Sequence, residues 1–139
     1  MKIKTINPFL TISIIFYLIS LTQNAFYVNN ENENYGYLVL IFGLYAVFGG
    51  GAGLSWLANI LIVFSWGFHK KRASIYFSIS ALIFGISFLF FDQIVMGTNN
   101  KYGNITDYGL GYYLWILSFF TMLIGNIFDY KNNVLQHGV

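Results

Sequence analysis

The polar side chains within apolar stretches are the residues of this chain that could do chemistry. Asn59 lies deep in one long apolar segment, and Asp92 lies near the end of another that begins at Ala73. An acidic side chain within a membrane span is by default a candidate for ion or proton transport. Helical spacing from Ser74 places Asp92 on the packed face of its segment, and Gln23, near the same level, could hydrogen-bond it. The sequence therefore offers one candidate intramembrane polar site, formed by Asn59, Asp92 and Gln23.

Each of these residues also has a structural interpretation. An amide in hydrocarbon requires a hydrogen-bond partner, so Asn59 could simply fix the register of two packed helices. Asp92 stands near a segment end, where a carboxylate can be solvated or can cap a helix. We keep both interpretations open for both residues.

Signatures of enzymes are missing from the sequence. It contains no zinc-binding His-Glu-x-x-His pair, nucleophile elbow, phosphate-binding loop or dinucleotide fingerprint. His69 and His137 lie outside the apolar segments and lack ligand spacing. With no cysteine, thiolate chemistry is excluded. We therefore expect no catalytic residue, no metal site and no cofactor.

The composition is that of a membrane protein. The 139 residues are 57% hydrophobic and 9% charged, whereas soluble domains carry about 25% charged residues. A helix needs about 20 apolar residues to cross a bilayer, and four segments reach that length: residues 8–27, 37–68, 73–95 and 109–128. The sequence predicts an all-α fold, a four-transmembrane-helix bundle that forms a single domain over residues 1–139. Residues 29–34 and 96–108 should then be polar outer loops.

The basic residues predict the orientation. Six of the seven fall on one side of the four-segment pattern: Lys2, Lys4, Lys70, Lys71, Arg72 and Lys131. Because cytoplasmic loops retain Lys and Arg, both termini should be cytoplasmic in this multi-pass protein. Orientation accounts for the charges, so nucleic acid is not an expected partner. A cleaved signal peptide ending near Ala25 is the alternative interpretation of the first segment.

A glycine run interrupts the second segment. A straight helix over residues 37–68 would be ~50 Å long, too long for a ~30 Å hydrocarbon core. Each interior glycine costs roughly 1 kcal/mol relative to alanine, and consecutive glycines permit a bend. The run consists of Gly49, Gly50, Gly51 and Gly53. The bend could serve close helix packing or form an unwound functional site.

Small residues recur at helical spacing in the third and fourth segments. The positions are Ser78, Ala81 and Gly85 in the third segment and Ser118 and Gly125 in the fourth. Faces of small residues let helix backbones approach closely inside membranes. These faces favour a compact bundle.

Four short motifs resemble those of a group of small bacterial four-helix membrane proteins of unknown function. They occupy residues 20–23, 51–59, 91–92 and 111–115, and the resemblance covers nearly the whole chain. It implies a location in the bacterial inner membrane and no mechanism. Similar proteins often have Pro where this chain has Ile60, and often have cysteines after the first helix. These departures argue against an essential kink and an obligatory thiol.

Two hypotheses about function follow. The first is a non-enzymatic membrane protein that binds another membrane protein through helix–helix contacts, as a complex subunit or an immunity-type protein. Its predicted size and architecture are similar to those of immunity proteins against pore-forming bacteriocins. The second is a small transporter or channel, which would need self-association into a homo-oligomer because four helices enclose little space. Asp92 discriminates between them, since transport should require its carboxylate.

Overall fold

The computed structural model describes residues 7–30, 32–96 and 101–137. Lys2 and Lys4, two of the basic residues that predict the orientation, lie outside the described residues, as does the side chain of His137. The helices are α1 (Pro8–Leu21), α2 (Gly36–Phe48), α3 (Leu57–Gly67), α4 (Ala73–Ser87) and α5 (Leu110–His137). The strands are β1 (Asn24–Val28), β2 (Asn32–Tyr35), β3 (Gln93–Met96) and β4 (Lys101–Tyr108). Two 3₁₀ helices, Gly51–Trp56 and Phe88–Phe90, precede α3 and follow α4.

The regions predicted as outer loops, together with the adjoining ends of the first and third predicted spans, form a β-sheet, so the all-α prediction is wrong. The sheet has the order β2-β1-β4-β3, and each pair is antiparallel. Its central pair joins the two regions, with Tyr27 opposite Asp107. This pairing joins residues far apart in the chain, and the hydrophobic pattern within either region alone cannot reveal it. The sequence Asn-Ala-Phe-Tyr-Val of β1 does carry the aromatic and β-branched residues that favour strands.

The prediction of four transmembrane helices is also wrong. By length and composition, two described helices could cross a membrane: Ala73–Phe90 and Leu110–Asn132. The other apolar helices are shorter, at 10–17 residues. The first segment loses its last residues because the chain leaves the helix at Thr22 and enters β1.

The second segment is divided at the glycine run, as its glycines predicted. α2 ends at Phe48, and the first 3₁₀ helix begins at Gly51. Gly50 and Gly51 have φ values of 71° and 55°, in the left-handed region that side chains disfavour. The chain can therefore reverse here and return along α2.

α2 lies at the sheet end of the helices. A Cβ atom at Gly36, its first residue, would be 2.5 Å from the carbonyl oxygen of Ser20 at the end of α1. A Cβ atom at Gly49, just after α2, would be 3.2 Å from Val95 in β3. Because both ends contact sheet-side elements, α2 does not run to the opposite end of the molecule.

The basic turn between α3 and α4 lies at that opposite end. The Arg72 guanidinium is 5.5 Å from the Tyr130 ring late in α5. Asn7, which caps α1, donates a side-chain hydrogen bond to the Asp129 carboxylate. The basic turn therefore lies beside α5 near Asp129 and Tyr130, and the start of α1 lies beside the same part of α5.

Candidate functional site

Asn59 is the centre of a hydrogen-bond network that joins three helices. Its side-chain oxygen accepts hydrogen bonds from the Tyr17 hydroxyl of α1 at 2.9 Å and from the Trp115 indole of α5 at 2.8 Å. Its amide nitrogen donates to the Trp56 carbonyl at 3.0 Å. The residue is 8% exposed. Both acceptor positions of its oxygen are thus occupied within the protein.

A second polar network lies nearer the basic turn and involves α3, α4 and α5. The side-chain nitrogen of Asn126 lies 3.0 Å from Ser65 Oγ and 3.2 Å from Ser78 Oγ. Ser65 and Ser74 also bond each other's backbone carbonyls, at 3.1 and 2.7 Å. The Asn126 oxygen is buried and has no hydrogen-bond partner among the described residues.

Between these networks, Ser13 bridges two other elements. Its hydroxyl donates to the Ser118 carbonyl at 2.8 Å and accepts from the Trp66 indole at 3.0 Å. The interior of the helical layer thus carries polar contacts along its length. A hydroxyl or an amide buried without a partner is costly, and these contacts offset that cost.

A cavity of about 80 Å³ separates the Asn59 network from the sheet. α2, the first 3₁₀ helix, α5 and the inner face of the sheet enclose it. Small residues of α2 and of the 3₁₀ helix, including Gly43, Ala46 and Ala52, form part of its wall. Ser20, Ser55 and Asn59 supply polar atoms in a wall that is otherwise mainly apolar or aromatic.

The predicted polar site is not assembled as a unit. Asp92 is exposed just before β3, where its backbone carbonyl accepts a hydrogen bond from the Ile105 backbone N–H at 2.8 Å. The Gln23 amide donates to the Thr22 hydroxyl at 3.1 Å. No hydrogen bond joins any two of Asn59, Asp92 and Gln23, which all lie within the described ranges.

Asp92 influences a tyrosine of the sheet instead. Partial burial raises the pKa of Tyr108 above its ordinary value, and the negative charge of Asp92 raises it further. Both causes favour the neutral phenol. Tyr108 also packs against Tyr112, with ring centroids 5.1 Å apart, at the junction of β4 and α5.

The predicted packing residues divide into close contacts and open positions. A Cβ atom at Gly53 would lie 2.0 Å from the Ala46 carbonyl oxygen, and one at Gly85 would lie 2.7 Å from Ile116. At Gly125 the corresponding atom would lie 2.4 Å from Phe9. Ser78, Ala81 and Ser118 are fully buried. Gly50 has nothing within 4 Å of such an atom, so its role is conformational.

Sequence reasoning missed the partners of Asn59 and the network of Asn126. Tyr17 lies four residues before the end of α1, where the long first segment gave no reason to expect a buried hydroxyl. Asn126 belongs to the same helical row as Ser118 and Met122, so spacing could have identified it. Among the residues that the structure describes, no three His, Asp or Glu side chains form a group that could hold a metal ion.

Compared with protein-family models, curated proteins and solved structures, the chain has no significant match.

Proposed function

We propose that the chain is an integral membrane protein that acts, without catalysis, by binding another membrane protein. The membrane location is supported by the arrangement of polarity. Serine and asparagine side chains share the interior with apolar residues, whereas many large apolar side chains, such as Ile15, Leu18, Ile83 and Phe120, are 48–62% exposed. Apolar surface of this extent is unusual on a soluble monomer. It matches a layer of helices surrounded by lipid.

The sheet and the basic turn support an orientation. Lys70, Lys71 and Arg72 are exposed at the end of the helical layer remote from the sheet. Under the positive-inside rule, that end lies in the cytoplasm of a bacterial cell and the sheet lies outside. The inner membrane is then the location, with α4 and α5 as spans and the shorter apolar helices packed beside them.

The main support for the interaction is that the large side chains of α2 are exposed. No residue of α2 is buried. Its small residues face the cavity, while Phe42, Tyr45 and Phe48 point away from the protein and are 61, 75 and 85% exposed. The large side chains therefore contribute little to the packing of this chain. Aromatic residues are enriched among those that dominate protein interfaces, because each supplies a large rigid surface.

Tyr45 adds a directional group to this face. Its hydroxyl makes no hydrogen bond with any residue that the structure describes. A tyrosine hydroxyl taken out of water usually finds a partner. A binding protein would therefore present an apolar recess to Phe42 and Phe48 and a hydrogen-bonding group to Tyr45. A complex subunit and an immunity-type protein both fit this description.

A transporter or channel formed by a homo-oligomer has less support. It would need polar groups along a path through the helices, yet the amide oxygen of Asn59 is fully engaged by Tyr17 and Trp115. Asp92 lies on the exposed surface just before β3. No observation therefore favours transport over binding.

Site-specific photo-crosslinking in native membranes tests the interaction. A photoreactive amino acid at Phe48 should yield one discrete adduct with a second membrane protein. The same amino acid at Ile83, which is 62% exposed on α4, is the matched control and should yield none. The Tyr45→Ala exchange should weaken the Phe48 adduct. Equal adduct patterns at Phe48 and Ile83, or no protein adduct at either position, would reject the proposal.

A further inference from the structure

We propose that the cavity beneath α2 binds one acyl chain of a bilayer phospholipid. The inference rests on the proposed membrane location, but it concerns a different surface from the outer face of α2. It assigns a ligand to the interior side of that helix.

The chemistry of the cavity favours an apolar chain. No charged side chain lines it. The oxygen of Asn59 already accepts two hydrogen bonds, so the most buried amide on the wall has no acceptor position to offer a polar ligand. A cavity of about 80 Å³ exceeds the roughly 10–15 Å³ that one water molecule needs. Water gains few hydrogen bonds there, whereas methylene groups would gain dispersion contacts with the walls.

A groove on the outer surface lies beside this cavity and shares three wall residues with it. Tyr17 of α1, Leu40 of α2 and three α3 residues, including Ile60 and Val63, line the groove together with Trp56. Ile60 and Val63 are 39 and 54% exposed, on the side of the helical layer that would face lipid. Molecules that reach this groove from within a bilayer are lipids. The groove therefore indicates where the acyl chain enters.

Trp56 forms the partition between groove and cavity. Leu40, Trp56 and Asn59 line both spaces. The Trp56 indole donates to the Leu40 carbonyl at 3.0 Å, which holds the ring across the boundary. An acyl chain that enters here would break this hydrogen bond and displace the Trp56 ring from Leu40. The walls beyond this point are the small side chains of α2 and the 3₁₀ helix.

Photolabelling with a phospholipid tests the site. The full chain is reconstituted in phosphatidylcholine vesicles whose lipid carries a diazirine near the end of one acyl chain. Labelled residues are identified by mass spectrometry. Label is expected on the inner face of α2, at Val39, and on the lipid-facing residue Ile83. Label at Val39 should fall to background in the cavity-filling variant Ala52→Leu, whereas Ala73→Leu, on the exposed start of α4, should leave it unchanged.

A second filling variant and the control position make the outcomes distinct. In the wild-type protein, label is also expected at Trp115, on the cavity wall opposite α2. The variant Val39→Phe fills the cavity from the α2 side, so it should lose the label at Trp115. Label at Ile83 without label at Val39 or Trp115 rejects the cavity site and leaves the membrane location standing. Interior label that persists in both filling variants also rejects the site. Absence of label at Ile83 as well as in the cavity rejects both proposals.

Discussion

At the scale of single residues, the polar side chains of the apolar segments show what the sequence could and could not predict. Asn59 could be identified from the sequence because an amide interrupts an apolar segment. Its partners could not, since Tyr17 and Trp115 come from helices far away in the chain and their rings fit many environments. Asp92 was placed on a packed face by extending helical spacing past Gly85. The helix ends at Ser87, so that spacing no longer applies and the side chain is exposed.

Replacing Asn59 with leucine should destabilise the helical layer. The exchange leaves the Tyr17 hydroxyl and the Trp115 indole buried without their shared acceptor. An unsatisfied buried donor costs about 1–3 kcal/mol. Unfolding in mixed micelles measures the loss, with the exposed Asn132→Leu as the control that should remain within about 0.5 kcal/mol of wild type. Equal stability of the two variants would contradict the network.

The Asp92→Asn exchange should shift the titration of Tyr108 to lower pH. Asp92 raises the pKa of Tyr108 in the folded protein, and the amide removes that charge. Because the pKa of Tyr108 is higher in the folded protein than in the unfolded chain, its contribution to stability is complete below about pH 10, the pKa of an unfolded tyrosine. That contribution is lost as the pH rises through the pKa of the folded protein. Nuclear magnetic resonance of labelled tyrosine follows the phenol. Glu33→Gln, at another exposed carboxylate of the sheet, is the control, and equal shifts of Tyr108 in the two variants would show that Asp92 has no specific effect.

At the scale of elements, glycine conformation was predictable and strand pairing was not. The glycine run marked the end of α2 because few other residues adopt the φ values found at Gly50 and Gly51. The polar residues of β2 show no apolar alternation, whereas the mainly apolar residues of β1 and β3 continue the first and third predicted spans, so the strands escaped prediction. Their stability comes from pairing across the sheet and from packing of Phe26 and Val28 against the helices. Neither contribution is local in sequence.

The Gly53→Ala exchange should separate the first 3₁₀ helix from α2. The new Cβ atom would lie 2.0 Å from the Ala46 carbonyl oxygen, so the backbone must move. Overpacking of this kind costs about 1–3 kcal/mol. Gly67→Ala is the matched control, because nothing lies within 4 Å of its new atom and alanine favours helices by about 0.5–1 kcal/mol. Thermal denaturation in detergent should show a lower melting temperature for Gly53→Ala and a higher one for Gly67→Ala. An unchanged melting temperature of Gly53→Ala would contradict the close contact.

Paired cysteines can test the sheet directly, because the chain has no cysteine of its own. Tyr27 and Asp107 are opposite each other in β1 and β4, and opposite residues have Cα atoms about 4.5–5.5 Å apart, within disulfide range. The pair Tyr27→Cys and Asp107→Cys should crosslink on mild oxidation. Tyr27→Cys with Lys101→Cys should not, since six residues of strand span about 20 Å. Equal crosslinking would contradict the register.

At the scale of the whole molecule, polarity is distributed as expected for a protein surrounded by lipid. The composition indicated a membrane environment, and two helices have the length and hydropathy to cross one. The number of spans was overestimated because apolar composition alone does not distinguish a crossing helix from one such as α2, whose ends both lie beside the sheet. Segment length therefore indicated helices long enough to cross a membrane, and it did not indicate the path of the chain.

The central claim is that the helical layer lies in a membrane with the sheet outside and the basic turn in the cytoplasm. Single cysteines test it most directly, since Asp107 in the sheet and Lys70 in the basic turn are both exposed. Intact cells that express Asp107→Cys or Lys70→Cys are treated with a membrane-impermeant maleimide. We expect labelling of Asp107→Cys in intact cells and of Lys70→Cys only after permeabilisation. Labelling of both in intact cells, or of neither until permeabilisation, would contradict the account.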